Sequence, residues 1–200
     1  SLHPTSQQET FFATPTLKDG MAAGRVRFIP MQMRAIFSYL ASTRIDVALL
    51  GAARDRDGRL RFGHNVDYVD AVVASASLVV VEVSDQFTAA AGAPRISETK
   101  TDFRFVATHS PPAEFPIAAP DDTSRQIGGH IADLIQDGDC LQTGIGAVPA
   151  AILAQLDDKN DLGFHGGLVD DGVVALARNG NLTGATKNFD RGLHLSGMAL

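Results

Sequence analysis

Six consecutive residues, Leu78-Val79-Val80-Val81-Glu82-Val83, limit the fold of this chain more than any other feature. Valine branches at Cβ and favours extended backbone. The run lacks the apolar-polar alternation of a half-solvated strand. It therefore predicts a strand buried on both faces, the situation of a parallel sheet covered by crossover helices. Six residues interrupted by Glu82 fall far short of the roughly 18 that a membrane-spanning helix needs.

The rest of the chain alternates between helical and strand periods. Ser1 to Thr10 is polar and reads as a frayed, disordered tail. Thr16 to Ala23 reads as a short helix stopped by Gly24, and Val26 to Ile29 as a strand ended by Pro30. Met33, Ile36, Phe37 and Leu40 mark a helix, Asp46 to Leu50 a strand, and Arg54 to Gly58 a charged turn. Asp67 to Ala76 reads as a helix and Asp102 to Ala107 as a strand. Ser110 to Pro120 holds four prolines and predicts a domain boundary. Beyond it Ile127, Ile131, Leu134 and Ile135 mark an amphipathic helix capped by Asp122, Thr123 or Ser124. Then come strand Cys140 to Thr143, helix Pro149 to Leu156, strand Asp161 to Phe164 and helix Gly172 to Arg178. Leu195 to Leu200 is expected to form an apolar strand with an open edge. The predicted class is α/β with mostly parallel sheets, in a 1–10 tail, a unit over 11–109, a linker over 110–123 and a second unit over 124–200.

Composition removes several classes of function. With 17 Lys+Arg against 23 Asp+Glu the formal charge is −6. That is the wrong sign for a duplex-binding surface, so no nucleic-acid partner is expected. There is no Trp and only two Tyr, which disfavours stacking platforms for single strands. One cysteine permits neither an intrachain disulfide nor a cysteine-based zinc site, and no metal is expected. No secretory signal is visible, so the expected compartment is the cytoplasm, with no membrane partner.

Two stretches can carry chemistry. In Gly138 to Pro149 a strand passes through Gly144-Ile145-Gly146 into a helix. Glycines let backbone approach a ligand, and a helix start presents free N–H groups to a phosphate, thioester oxygen or carboxylate. Pro149 stands where a dinucleotide fingerprint requires a third glycine, which argues against nicotinamide. The commoner role of such a loop is a tight turn without ligand. In Asp161 to Gly172 a strand again runs into glycines and a helix. Asp170 or Asp171 serves there either as helix N-cap, the commoner use, or as a catalytic carboxylate. His165 reads as an acid, a base or a hydrogen-bonded structural residue. Cys140 is expected to be a buried, inert thiol.

Gly144-Ile145-Gly146-Ala147-Val148-Pro149, Asp161-Leu162-Gly163-Phe164-His165 and Asp171-Gly172-Val173-Val174, with Gly180 and Lys187, resemble the acetyl-CoA hydrolase/transferase family, which includes 4-hydroxybutyrate CoA-transferase. Upstream, Gly24 to Pro30, Asp46 to Leu50, Val66-Asp67-Tyr68 and Leu78 to Val83 follow in the family's order. The resemblance implies CoA-transferase-type parallel sheets flanked by helices, in parts of two domains, with acyl-CoA at their junction. It assigns Gly144, Ile145, Gly146, Ala147 and Val148 to the loop that approaches CoA. It also implies a glutamate nucleophile attacking the thioester, at the position that holds Gly167 here. Ala52 to Asp55 and Ser84 to Thr88 also depart from the family's pattern. The implied function is that of an enzyme acting on a short-chain acyl-CoA, by CoA transfer to a carboxylate or by hydrolysis with Asp171, Asp170 or Glu82 as base. The alternative is a catalytically silent CoA-binding or assembly subunit. Coenzyme A enters as substrate, and the expected assembly is a homo-oligomer or association with a second half supplied elsewhere.

Overall fold

A computed structural model describes residue 3, residues 5–107 and residues 119–199. In chain order the elements are β1 (Gln8–Thr10), α1 (Lys18–Ala22), β2 (Val26–Phe28), α2 (Met33–Ala41), β3 (Ile45–Arg54), β4 (Leu60–Phe62), α3 (Val69–Ser75) and β5 (Ala76–Ser84). They continue with β6 (Phe103–Ala107), α4 (Asp122–Ala132), β7 (Cys140–Leu141), α5 (Ala147–Leu153), β8 (Gly163–Val169), α6 (Asp171–Asn179) and β9 (Leu195–Ala199). One sheet has the order β4-β3-β5-β6, parallel except for β4, and another is the parallel β7-β8-β9. This is the expected α/β class. Part of the expected tail is structured, because Gln8–Thr10 pairs in parallel with Val26–Phe28 and gains a partner for its backbone groups.

The valine-rich strand β5 is central but not equally covered on its two faces. Val79, Val81 and Val83 are buried with Ala48 and Ala52 of β3, beneath Val72 and Val73 of α3. The register aligns Val47 with Leu78, Leu49 with Val80, and Val80 with Phe103, so these residues share the opposite face. There Leu49 is 76% exposed and Phe105 52%. The expectation of burial on both faces is thus corrected: among the described residues, only one face carries a packed layer. A second core lies in the C-terminal half, where Leu153, Leu156, Leu162, Phe164, Val173 and Leu176 close around β8.

Strand β3 runs to Arg54, four residues beyond its expected end, because β4 folds back antiparallel against Ala52–Arg54. Asp55 holds the turn. Its Oδ1 accepts the N–H groups of Asp57 and Arg59, each at 2.9 Å, and its Oδ2 accepts Arg61 Nε at 2.5 Å. Arg61 also donates to the Ala93 carbonyl at 2.6 Å, tying the hairpin to the following loop.

Other boundaries moved for local reasons. Helix α4 is capped by Asp121, whose carboxylate accepts Ser124 N–H at 2.8 Å, so its cap lies one residue before the three expected. Strand β8 continues through His165-Gly166-Gly167 to Val169, where a glycine turn was expected, because β9 supplies a parallel neighbour. Cys140 is exposed rather than buried, since β7 is a two-residue edge strand. The C-terminal apolar strand is not an open edge. β9 pairs with β8, while Val66 N–H donates to Gly197 O at 2.8 Å and Ala199 N–H to His64 O at 2.9 Å. Those two bonds stitch the halves of the chain together. Of the predicted linker, residues 110–118 lie outside the described residues.

Candidate functional site at the strand β8–β9 face

The glycine loop leaves β7 at Leu141 and enters α5 at Ala147. Gly146 occupies the N-cap with φ 128° and ψ −176°, a conformation closed to residues with a Cβ. Gly144 is different. A Cβ there would meet the Pro149 ring at an ordinary 3.8 Å, so its conformation does not require glycine. Pro149 sits in the first turn of α5, where its missing N–H removes no helical bond. Ile145 is 55% exposed at the tip, while Ala147 and Val148 are half-buried. The hydroxyl of Thr143, just before the loop, is shielded from solvent and has no hydrogen-bond partner among the described residues.

On β8 side chains alternate between core and opening. Phe164 and Leu168 enter the core, whereas His165 and Gly167 are exposed. The register pairs His165 with Leu195, Gly166 with Ser196 and Leu168 with Met198, so His165, Gly167, Leu195 and Gly197 share one face. No atom lies within 4 Å of where a Gly167 side chain would begin, and its backbone is outside the left-handed region. The His165 ring meets Phe189 edge-on, with centroids 5.5 Å apart. Phe189 comes from a loop held by buried Lys187. The Lys187 ammonium donates to Leu193 O at 2.7 Å and reaches Phe164 O at 3.4 Å.

Asp67 completes this face, and sequence reasoning did not single it out as a site residue. Asn65 Oδ1 accepts the Asp67 N–H at 3.0 Å, and the adjoining Val66 is bonded to Gly197. The Asp67 carboxyl thereby lies in the space that a Gly197 Cβ would fill. Burial raises its pKa above the ordinary carboxylate value, with the Asn65 hydrogen bond opposing the shift. Burial, with the Asp67 charge second, also raises Tyr68. The sequence signal was the Val66-Asp67-Tyr68 match, with Asn65 just before it. What it lacked was the partner strand 130 residues later in the chain.

The other proposed bases are placed elsewhere or already engaged. Asp170 is buried, and its Oδ1 accepts Val173 N–H at 3.0 Å as the α6 cap. Asp171 is exposed in the first turn of α6. Glu82 belongs to the other sheet, between Gly51 and Phe105. Among the described residues no three His, Cys, Asp or Glu side chains are grouped to hold a metal ion. The β8–β9 face thus brings together an imidazole, a carboxyl whose pKa burial raises and open space over a glycine.

Comparison with known proteins identifies the family of the chain. Residues 2–109 match the acetyl-CoA hydrolase/transferase N-terminal domain. The chain belongs to that family. It is 31% identical over 189 residues to 4-hydroxybutyrate coenzyme A transferase of Clostridium kluyveri, covering 93% of this chain and 44% of the relative. It is 30% identical to a succinyl-CoA:acetate/propanoyl-CoA:succinate CoA transferase of Fasciola hepatica, covering 95% of this chain and 42% of the relative. RipA from Yersinia pestis superposes with a TM-score of 0.87 at 30% identity, over 97% of this chain and 47% of RipA. The 4-hydroxybutyrate CoA-transferase of Porphyromonas gingivalis gives 0.79 at 26% identity, over 97% of this chain and 52% of that protein. The chain spans less than half the length of the Clostridium kluyveri and Fasciola hepatica relatives.

Proposed function

We propose that this family member acts on a short-chain acyl-CoA, passing CoA to a carboxylate or releasing it by hydrolysis. The reading rests on the relatives' names, which describe CoA transferases, aligned along more than nine-tenths of the chain. Coenzyme A is a substrate in this reading, approached by Gly144, Ile145, Gly146, Ala147 and Val148. The acyl group lies over Gly167, where the resemblance places a glutamate. The reaction takes place in the cytoplasm, in a homo-oligomer or together with a second half of the fold.

Gly167 has no side chain and cannot be the nucleophile. In the hydrolytic reading, water adds to the thioester carbonyl carbon and gives a proton to the Asp67 carboxylate. The C–S bond then breaks and the proton passes to the departing CoA sulfur. A raised pKa suits Asp67 to hold that proton, and His165 on the same face is a second exchange group. Asp171, exposed at the end of β8, is the remaining sequence-derived base.

The test is thiol release from acetyl-CoA and butyryl-CoA, with and without acetate. Intact mass is then measured with and without borohydride. Release that disappears in Asp67→Asn supports the reading. CoA binding without turnover, seen as a raised melting temperature, would favour the silent CoA-binding subunit, a reading the vacant side chain at Gly167 supports. A covalent adduct on another carboxylate would identify the nucleophile and displace the roles given to Gly167 and Asp67.

A further inference from the structure

The turn between β3 and β4 carries a feature that the β8–β9 face does not use. Arg54, Arg59, Arg95 and Arg104 line one cleft of about 390 Å³, with Leu60 and Ile96 as apolar walls. They come from the end of β3, the β3–β4 turn, the loop beyond β5 and strand β6, so no single stretch of sequence displays the cluster. A neighbouring cleft of about 270 Å³ shares Arg95 and Ile96 and adds Lys100. The whole chain is acidic, with a formal charge of −6, so this concentration of cations is local.

The neighbouring acids are largely committed elsewhere. Asp55 is held by Arg61, and the Asp102 carboxylate accepts Val79 N–H at 2.7 Å. Asp57 pairs with Arg59 at the exposed rim. Asp70 lines only the neighbouring cleft. Among the described residues, none of Arg54, Arg95 and Arg104 has an ion pair of 4 Å or less. Arg54 is already oriented, donating to Gly58 O at 2.8 Å. Converging guanidinium groups repel one another, and a multivalent anion relieves that repulsion. Each planar fork matches two oxygens of a phosphate or of a carboxylate, so it is the convergence of four forks on one cleft that favours a ligand of higher charge than a single carboxylate.

We propose that this cleft binds a ligand carrying two or more linked phosphates. Binding of linked phosphates here does not depend on the chemistry at the β8–β9 face, and only the CoA arm rests on the function proposed above. The shared chemistry has two sources: a free nucleotide, or the diphosphate of CoA itself.

The test uses the intact chain and inorganic pyrophosphate as probe, read by calorimetry and thermal shift at low salt. The comparison variant is Arg95→Ala with Arg104→Ala, and Arg54→Ala with Arg59→Ala is the second pair. Unliganded melting temperatures check that each variant folds. We expect pyrophosphate to bind, and either pair of substitutions to weaken it at least about tenfold. Affinity should fall steeply with salt. ADP and CoA separate the sources. An equal loss for pyrophosphate and CoA assigns the cleft to CoA, whereas a loss for pyrophosphate and ADP with CoA unchanged assigns it to a free nucleotide. No pyrophosphate binding at millimolar concentration, equal binding by both folded variants, or an equal response to sulfate at matched ionic strength would overturn the proposal.

Discussion

Asp67 and Gly197 depend on each other, and neither is intelligible alone. The Asp67 carboxyl fills the volume of a missing Cβ, so Gly197→Ala must displace it or spread β9 from residues 64–66. We expect that variant to lose about 1–3 kcal/mol in denaturant melts, as overpacked sites do. Asp67 is itself held against its own preference. Its folded pKa lies above the unfolded value, so the native state binds its proton more tightly and stability falls as pH rises between those two values. Asp67→Asn should therefore melt higher than the parent at pH 7, flatten that part of the stability–pH profile and lose thiol release. Gly167 is the converse case, with open space and a backbone that any residue adopts. Gly167→Glu should melt within a few degrees of the parent. On incubation with acetyl-CoA it should form a borohydride-sensitive adduct that the parent lacks. An unfolded Gly167→Glu protein would refute the reading of that space.

At the scale of single elements, a few carboxylates decide where structure begins and ends. Asp170 and Asp171 look equivalent in the sequence, yet only Asp170 bonds Val173 N–H. Asp170→Ala should cost about 1 kcal/mol, the usual loss of an N-cap, measured by urea unfolding. Asp171→Ala should leave stability nearly unchanged, so a loss of thiol release there would be catalytic in origin. Asp55 anchors the β3–β4 hairpin. Its hydrogen bond with Arg61 leads the interactions that depress its pKa, against a smaller effect of burial. Its contribution is present above the unfolded carboxylate value and is lost as pH falls through the depressed native one. Asp55→Asn should be less stable than the parent at pH 7, and the difference should shrink on acidification. A constant difference down to the depressed value would show that shape rather than charge holds the turn.

For the whole molecule, we propose a division into residues 11–109 and 124–200 joined by the proline-rich stretch, with helix α4 already beginning at Asp122 inside the expected 110–123 linker. Limited proteolysis should cut first within that linker. Because β9 bonds to His64 and Val66 as well as to β8, the two products should co-elute on size exclusion rather than separate. Separation would show that those bonds do not hold the halves. The open face of Val47, Leu49, Phe103 and Phe105 is the other consequence at this scale. Exposed apolar area of this kind drives association. The chain on its own should therefore scatter as a dimer or larger species, and Leu49→Lys with Phe105→Lys should shift it toward monomer.

The sequence alone determined the α/β class, the central valine strand, a helix over Gly172 to Arg178 with an Asp cap before it and the glycine loop before α5. Each rests on local causes: side-chain branching, capping atoms and a backbone angle that only glycine adopts. The family was also legible, because its motifs are short and contiguous. The partner of β8, the coverage of β5 and the meeting of Asp67 with Gly197 were not. They depend on residues far apart in the chain coming within hydrogen-bond reach, and periodicity does not encode which distant strand will pair. The arginine cleft belongs with these, since its four side chains converge only after β3, β4 and β6 are in place. Tertiary structure decided these points because packing selects one pairing among many that local preference allows.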